Sequence, residues 1–570
     1  MPDHAVAAGA PDASAAASGS APGGQVAAPR RLPLYAYLIL AVLSVGLFLP
    51  GFFTLPPFDR DEARFAQSSS QMLDSGNYVD IRFQDEARYK KPVGIYWLQS
   101  AATALAGGPK EIWTYRIPSL IGATLAVLAS AWTASRLFGG TVGFLAGLMM
   151  ASCVVLGVEA RMAKTDAVLL ATVVIGQAAL AHLYLTRREG RDGRGPALVF
   201  WIAAGLGILV KGPIVFLVSG TTALVLSLWE REVRWLKRLR PLAGLGIVAA
   251  IAAPWLIAIA IKSNGAFFAE SVGHDMMGKV AGGQEGKGLP PGYYLGTFWV
   301  TFAPWSLLAL LAVPWAWAKR RVEAVRFCIA WIVPSWLVFE AVPTKLLHYT
   351  LPVFPAVAAL SAAAAVDWFA AAEPGRRRIL FGVAAALGVL GFAALVLAVA
   401  VIPYLVDGRV DAVGLAMVPV VLALFALFLR SVARRRRIPA FAAGLAAAAL
   451  LYAGTYGAVL PAIDGVWVSR QAARLVEAAH PCPDSIVASA GYSEPSLVFL
   501  LGTHTKLVHG GDAAGHLLAG GACALALVEQ KEEAPFRAAL GGREPVSLGG
   551  IAGFNYNTGK RLRLTLYRLS

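Results

Sequence analysis

Charge is scarce in this sequence. Asp, Glu, Lys and Arg supply 15% of its 570 residues, against 57% hydrophobic residues. A water-soluble domain carries roughly 25% charged residues, so a soluble globular chain is excluded. Cysteines number four and histidines eight, with no Cys-x-x-Cys and no His-rich tract. That excludes a zinc-ribbon or cysteine-stapled scaffold. Large apolar side chains are almost missing from residues 1–30, where Ala, Gly, Ser and Pro dominate. Such a stretch buries too little surface to offset its ordering entropy and is predicted to be a disordered tail. A cleavable leader is not expected, because Arg30-Arg31 runs into a full-length apolar segment with no small-residue cleavage site. Internal repeats are missing too.

What is present is a series of apolar runs, each about 18 residues or longer, the length that crosses roughly 30 Å of hydrocarbon. Thirteen spans are predicted, near 34–53, 115–136, 141–158, 165–185, 197–209, 212–228, 241–261, 294–318, 325–342, 348–371, 379–405, 412–430 and 438–460. The net charge of +16 is not a nucleic-acid footprint, because Lys and Arg concentrate in short breaks between these runs. Alternating the loops places Arg30-Arg31, Arg136, 187–194, 231–240, 319–326, 376–378 and 430–437 on one side. The positive-inside rule makes that side cytoplasmic, together with the N-terminus. Residues 54–114, 159–166, 262–293, 343–349 and everything after 461 then face outward. From 462 to 570 the pattern changes to short apolar stretches between Gly, Pro and Asp turns, with strands predicted at 485–490, 496–501, 522–529 and 562–567. Cys482 and Cys523 lie in this outer region, where a disulfide can persist; Cys153 and Cys328 lie in or beside apolar runs and serve packing. The expected fold class is therefore an all-α membrane protein of about thirteen transmembrane helices with a small C-terminal α/β domain. The expected boundaries are a tail at 1–30, a polytopic catalytic part at 31–461 with its key outer loop at 54–114, and an outer domain at 462–570.

Chemistry-bearing residues concentrate on the outer side. The first outer loop opens Asp59-Arg60-Asp61-Glu62-Ala63-Arg64 and continues into a helix predicted to end at Gly76. Phe65, Met72 and Leu73 give that helix an apolar edge, so it is expected to lie along the membrane surface. Asp59 and Asp61 also fit N-capping of the same helix, with Arg64 as partner. Further on, Lys90-Lys91-Pro92 closes the polar stretch. Asp166 follows Lys164 where a span begins; an acid beside a membrane pathway is a functional candidate, and a helix cap is the plainer alternative. His274 and Lys279 mark the loop 262–293, and Lys345, His348 and Tyr349 mark another outer edge. Positive groups sharing a pocket would suit a phosphate, and carboxylates beside them would suit activation of a nucleophile.

These stretches resemble the GT-C membrane glycosyltransferases of the aminoarabinose-transferase and protein O-mannosyltransferase group, a glycosyltransferase family 39-like pattern. The matching runs are Asp59 to Ala66, Tyr89 to Trp97, Lys164-Thr165-Asp166, Leu209 to Pro213 and Lys345 to Pro352. The resemblance covers roughly residues 34–460. It implies thirteen spans, catalysis on the periplasmic face with inversion at the sugar, and a periplasmic C-terminal domain. It also implies Asp61 as the essential outer-loop acid, Asp166 as a second functional acid, and carrier-phosphate contacts from Arg64, Lys91, Lys279 and Tyr349. Asp59, Glu62, Lys90, His274, Lys345 and His348 are expected in support. One departure concerns metal: the group places an acid before the motif lysine, which with a later histidine holds an ion. Here that position is Lys90, while His274 stands at the histidine position, so divalent-metal binding is doubtful and no cofactor is expected. The Lys90 ammonium is expected to supply the charge instead.

The resulting expectation is an inner-membrane glycosyltransferase moving one hexose, pentose or related sugar from undecaprenyl phosphate to a lipid or glycan acceptor, as in lipid A and lipopolysaccharide modification. Its partners would be that donor, the acceptor and membrane lipids, with no nucleic acid. A protein O-glycosyltransferase with the same donor class is the alternative. A transporter or lipid flippase, the rival class, should carry ionisable groups at mid-span, whereas the acids here sit at outer ends.

Overall fold

Backbone that crosses hydrocarbon has no water to bond with and must satisfy itself internally, which helices do. The computed structural model describes residues 31–569 apart from 190–191, 283–287, 371–377, 480–481 and 483–484. The tail expected at 1–30 lies outside the described residues. Among the described residues, nine helices are long and apolar enough to cross a membrane: Ile112–Phe138, Asp166–Leu185, Arg194–Lys211, Pro241–Lys262, Glu323–Ala341, Leu351–Ala370, Arg378–Asp407, Ala412–Ala433 and Arg437–Ala462. Four shorter apolar helices accompany them, Leu34–Phe48 ahead of the first and Gly140–Ser152, Ile214–Glu230 and Ser306–Ala318 between others. Every predicted run thus contains an apolar helix, but two runs are divided. The run 141–158 stops at Ser152 because Cys153 is extended (φ −78°, ψ 138°), and the helix resumes as Val154–Glu159. The run 294–318 splits into Tyr293–Thr301 and Ser306–Ala318 around Pro304, whose missing N–H cannot continue a helix.

Three of the basic breaks meet at one end. Arg187 lies 3.3 Å from Glu230 and 2.7 Å from Glu323. Arg326 also pairs with Glu230, and Arg240 lies 3.8 Å from Asp192.

At the opposite end the helix Asp61–Ser75 ends at Gly76, whose φ of 67° is the left-handed conformation that favours glycine. Most of its apolar edge is covered by protein, while Leu73 stays partly exposed beside Tyr78 and Trp97. Phe65 and Met72 are buried against Ile81, Tyr96, Trp255 and Phe267. The helix lies between Gly94–Ala106 and the C-terminal helix Pro495–Leu501. An amphipathic helix can bury its edge in protein as well as in a membrane surface, and here protein supplies the cover.

The C-terminal region is a five-stranded sheet in the order Lys506–Val508, Val487–Ala490, Leu525–Glu529, Lys560–Arg568, Val546–Asn555. The first three strands are parallel and the last two pairings antiparallel. The strand expected at 496–501 is instead the helix Pro495–Leu501, begun by a proline in its first turn. Strands at 506–508 and 546–555 went unpredicted, since Gly549, Gly550 and Gly553 mask the alternation of the longer one. Cys482 and Cys523 are bridged, with Cα atoms 5.4 Å apart, while Cys153 and Cys328 are free and buried.

This sheet region docks on the first outer loop. Phe499 meets Tyr115 edge-on at 5.5 Å between centroids, and Phe58 meets Trp467 at 5.2 Å. Gln67 Nε2 donates to Thr503 Oγ1 at 2.8 Å, and Gln84 Nε2 donates to the Thr503 carbonyl at 3.0 Å.

Candidate functional site

The outer loop is pinned before it turns into the site. Arg116, wholly buried, donates to both oxygens of Glu62 (2.8 and 3.0 Å) and to the carbonyls of Phe52, Leu55 and Pro56. Glu62 also accepts the N–H groups of Phe58 and Ala163, each at 2.8 Å. Glu62 is thus a structural staple whose oxygens are consumed by the fold. Just before it, Arg60 holds φ 64° and ψ −100°, a conformation costly for a residue with a side chain and typical of functional turns. The capping reading of the acids fails here: Arg60 is the cap residue and makes no side-chain cap bond. Asp61 is instead the first helical residue, and its side chain lines a cavity.

That cavity gathers groups from five segments. Asp61, Arg64, Arg88, Lys90 and Lys91 come from the first outer loop, and Lys164 and Asp166 from the approach to the helix Asp166–Leu185. Lys211 ends the helix Arg194–Lys211; Asp275 and Lys279 come from the loop after Pro241–Lys262, and His348 and Tyr349 from the turn before Leu351–Ala370. Lys91 Nζ lies 2.8 Å from Asp275 Oδ2, and Lys279 Nζ lies 2.7 Å from Asp275 Oδ1. Lys211 pairs with Asp166. Lys164 Nζ lies 3.1 Å from Glu159 Oε1 and 4.0 Å from Asp166 Oδ2. His348 bridges the same acids, Nδ1 at 3.3 Å from Glu159 and Nε2 at 3.4 Å from Asp166.

Burial and the neighbouring Lys279 ammonium push Lys91 down to about 8, against the pull of Asp275. Burial opposes ionisation of Asp275, but Lys91 and Lys279 hold it below the usual carboxylate range. Burial pushes His348 down to about 3, so its imidazole is neutral at physiological pH, and drives Tyr349 up to about 12. The tyrosine therefore offers a hydroxyl and not a charge.

A second, apolar cleft of about 460 Å³ opens from the same place. Leu169, Ile208, Ile214, Leu217, Phe267 and Val338 line it, and it shares Lys91, Asp166, Lys211, Asp275, Lys279, His348 and Tyr349 with the charged cavity. The arrangement can hold a small anion at one end and a long apolar chain at the other.

Of the residues expected from sequence, Asp61, Asp166, Arg64, Lys91, Lys279, Tyr349, Lys90 and His348 line the charged cavity. Four others lie elsewhere. Glu62 is the staple just described, and Asp59 packs under the C-terminal region, accepting the Ser496 N–H at 3.3 Å. Lys345 is buried and donates to the carbonyls of Glu340 and Val342, 2.7 and 2.9 Å away, which places it in the fold. His274 points outward, its Nδ1 3.7 Å from Glu270. Arg88, Lys164, Lys211 and Asp275 were not singled out as site residues. Lys164 and Lys211 lie inside the runs that carry the family resemblance, whereas Asp275 stands beside the more conspicuous His274.

The residues do not fit a divalent metal at the expected pair. Position 90 is a lysine, and His274 faces Glu270 on the surface. Glu159, Asp166 and His348 do bring ligand atoms within 4.8 Å of one another. Lys164 and Lys211 already rest on those acids, so two ammonium groups supply the positive charge there.

A family model described as dolichyl-phosphate-mannose-protein mannosyltransferase matches residues 90–257. The chain is 30% identical over 411 residues to the undecaprenyl phosphate-alpha-4-amino-4-deoxy-L-arabinose arabinosyl transferase of Aeromonas salmonicida, a match spanning 69% of this chain and 73% of that one. It is 29% identical to the enzyme of the same description from Pseudomonas aeruginosa strain LESB58, over 65% of this chain and 63% of that protein. Among solved structures, ArnT from Cupriavidus metallidurans bound to undecaprenyl phosphate superposes with a TM-score of 0.70 at 19% identity, covering 93% of this chain and 98% of that one. The oligosaccharyltransferase AglB from Archaeoglobus fulgidus, in complex with an inhibitory peptide and a dolichol-phosphate, gives 0.52 at 11% identity over 94% of this chain and 74% of that one. These two likenesses establish a shared membrane fold.

Proposed function

Because the chain belongs to the undecaprenyl phosphate-alpha-4-amino-4-deoxy-L-arabinose arabinosyl transferase family, we propose that it moves one sugar from an undecaprenyl-phosphate carrier to a lipid or glycan acceptor, lipid A in the first instance. It is a multi-pass inner-membrane glycosyltransferase. The observation that carries the reading is the wall shared by the cationic cavity and the apolar cleft. A polyprenyl phosphate is the amphiphile that such a pair of spaces matches, its phosphate among Arg64, Lys91 and Lys279 and its chain along Leu169, Ile208 and Leu217.

In the transfer, an acceptor oxygen bonds to the sugar's anomeric carbon while the bond from that carbon to the phosphate oxygen breaks, with inversion. The electron pair leaves on the phosphate, where Lys91, Arg64 and Lys279 stabilise the growing negative charge. Asp61 takes the proton of a hydroxyl acceptor; a phosphate acceptor would not require it. Asp166, held by Lys211 and Lys164, shapes the field beside it. Basic loops meeting at one end support a cytoplasmic side there; on this reading the cavity, the sheet region 462–570 and the loop 54–114 face the periplasm, with 31–461 as the catalytic membrane part. The mannosyltransferase match over 90–257 favours a protein hydroxyl as a second acceptor reading.

Single-turnover transfer by Asp61→Asn tests the assignment. A fall of roughly 10²–10⁴-fold with donor binding retained is expected for loss of a general base; an unchanged rate removes Asp61 from the chemistry. Lipid and glycan mass spectrometry of cells with and without the gene identifies sugar and acceptor together.

A further inference from the structure

A carboxylate in the middle of a phosphate pocket repels the ligand unless it does something for the cations around it. Asp275 is such a carboxylate. One of its oxygens lies 2.8 Å from Lys91 Nζ, and both lie 2.7 Å from Lys279 Nζ. The two lysines come from different outer segments, and two ammonium groups brought to one place repel each other. Asp275 is 8% exposed although His274, Met276 and Met277 on either side are open to solvent. It is the second-to-last residue of the stretch Ala269–Met276, which is wound as a π-helix, a rare geometry concentrated at functional sites. The carboxylate is therefore turned inward on purpose-built backbone and spends its hydrogen bonds on the two lysines.

We propose that Asp275 is a positioning residue that clips Lys91 and Lys279 into one phosphate-holding unit. This rests on the cavity being the carrier-phosphate site. The clip lets two cations from separate segments meet a single anion with their ammonium groups already converged, so less order is lost when the phosphate arrives. Because donor and departing phosphate both need that convergence, Asp275 serves ground state and transition state alike. Its removal raises KM, and kcat falls by no more than the part of the charge stabilisation that grows as the phosphate departs.

The test uses the purified full chain in detergent, with polyprenyl-phosphate sugar as donor and undecaprenyl phosphate as product inhibitor. Asp275→Asn is expected to raise donor KM and the product inhibition constant together, each about tenfold, the size of one lost charge-assisted contact. Asp275→Glu is expected to restore most of both. Lys279→Met should raise KM similarly, and the double variant should be no worse than Lys279→Met alone, since the two act as a unit. An unchanged or lowered KM in Asp275→Asn overturns the proposal, as does a fall confined to kcat or full additivity in the double variant. If Asp275→Asn is not monodisperse, Asp275→Ser is measured under the same criteria. Lys91→Met separates the two levels. If it leaves KM unchanged, the phosphate reading itself fails; if it raises KM while Asp275→Asn does not, only the clip fails.

Discussion

Asp59 offers a measurable consequence of how the sheet region meets the outer loop. Its backbone N–H donates to the Tyr556 hydroxyl at 2.7 Å, and its Oδ1 accepts the Ser496 N–H at 3.3 Å. Burial, reinforced by the nearby acid Glu494, pushes its carboxyl from 3.8 up to about 7. The protonated form is thus favoured in the docked state. The stabilising contribution is fully present below about pH 4 and is lost as pH rises through about 7. A shift of about three pH units corresponds to roughly 4 kcal/mol across that window at 1.36 kcal/mol per unit, an upper figure for one group. Asp59→Asn keeps the shape and removes the charge, so its docking should not change with pH. Hydrogen exchange of peptides covering 491–496 and 553–557, corrected for intrinsic rates, reports the opening directly. In the wild type these peptides should exchange faster at pH 8 than at pH 6; in Asp59→Asn the two should match. An Asn variant that retains the wild-type pH dependence would refute the reasoning.

Three further outcomes follow from contacts described above. Glu62→Gln leaves the buried Arg116 guanidinium without its counter-charge, and breaking such a pair costs about 3–5 kcal/mol; thermal unfolding in detergent should drop by several degrees, and an unchanged midpoint would return Glu62 to the site. Transfer should decline as pH rises through about 8, where Lys91 loses its proton, and Lys91→Arg should move that limb upward; a limb that stays in place assigns it to another group. Reducing Cys482–Cys523, which closes a loop of 41 residues' separation, should destabilise the sheet region by about 4 kcal/mol, read as earlier proteolysis after 468 with the membrane helices intact.

The membrane part was legible because length and apolarity alone specify a spanning helix. That the site lies at the end away from the basic breaks was legible from where Lys and Arg gather. Adjacent residues with opposite duties were harder. Asp61 and Glu62 look equivalent in sequence; only Arg116, more than fifty positions on, decides that Glu62 is consumed by the fold. Lys345 and His348 differ in the same way, since carbonyls of the preceding helix end hold the lysine out of the cavity. His274 drew attention as a ligand type, yet Asp275 faces inward, because π-helical winding breaks the 3.6-residue period by which faces are assigned. The run 496–501 failed for a related reason: a short, uniformly apolar stretch carries no period to separate strand from helix.

The junction between Pro495–Leu501 and Asp61–Ser75 also bears on how the protein is made. Residues synthesised among the earliest wait, one flank bare, for a partner synthesised among the last. Until that partner arrives and folds, Gln67 and Gln84 lack their bonds to Thr503, and Tyr115 lacks its contact with Phe499. The segment 495–503 is thus a late-made buttress for an early-made loop: a chain truncated before Pro495 should keep its apolar helices and lack that support.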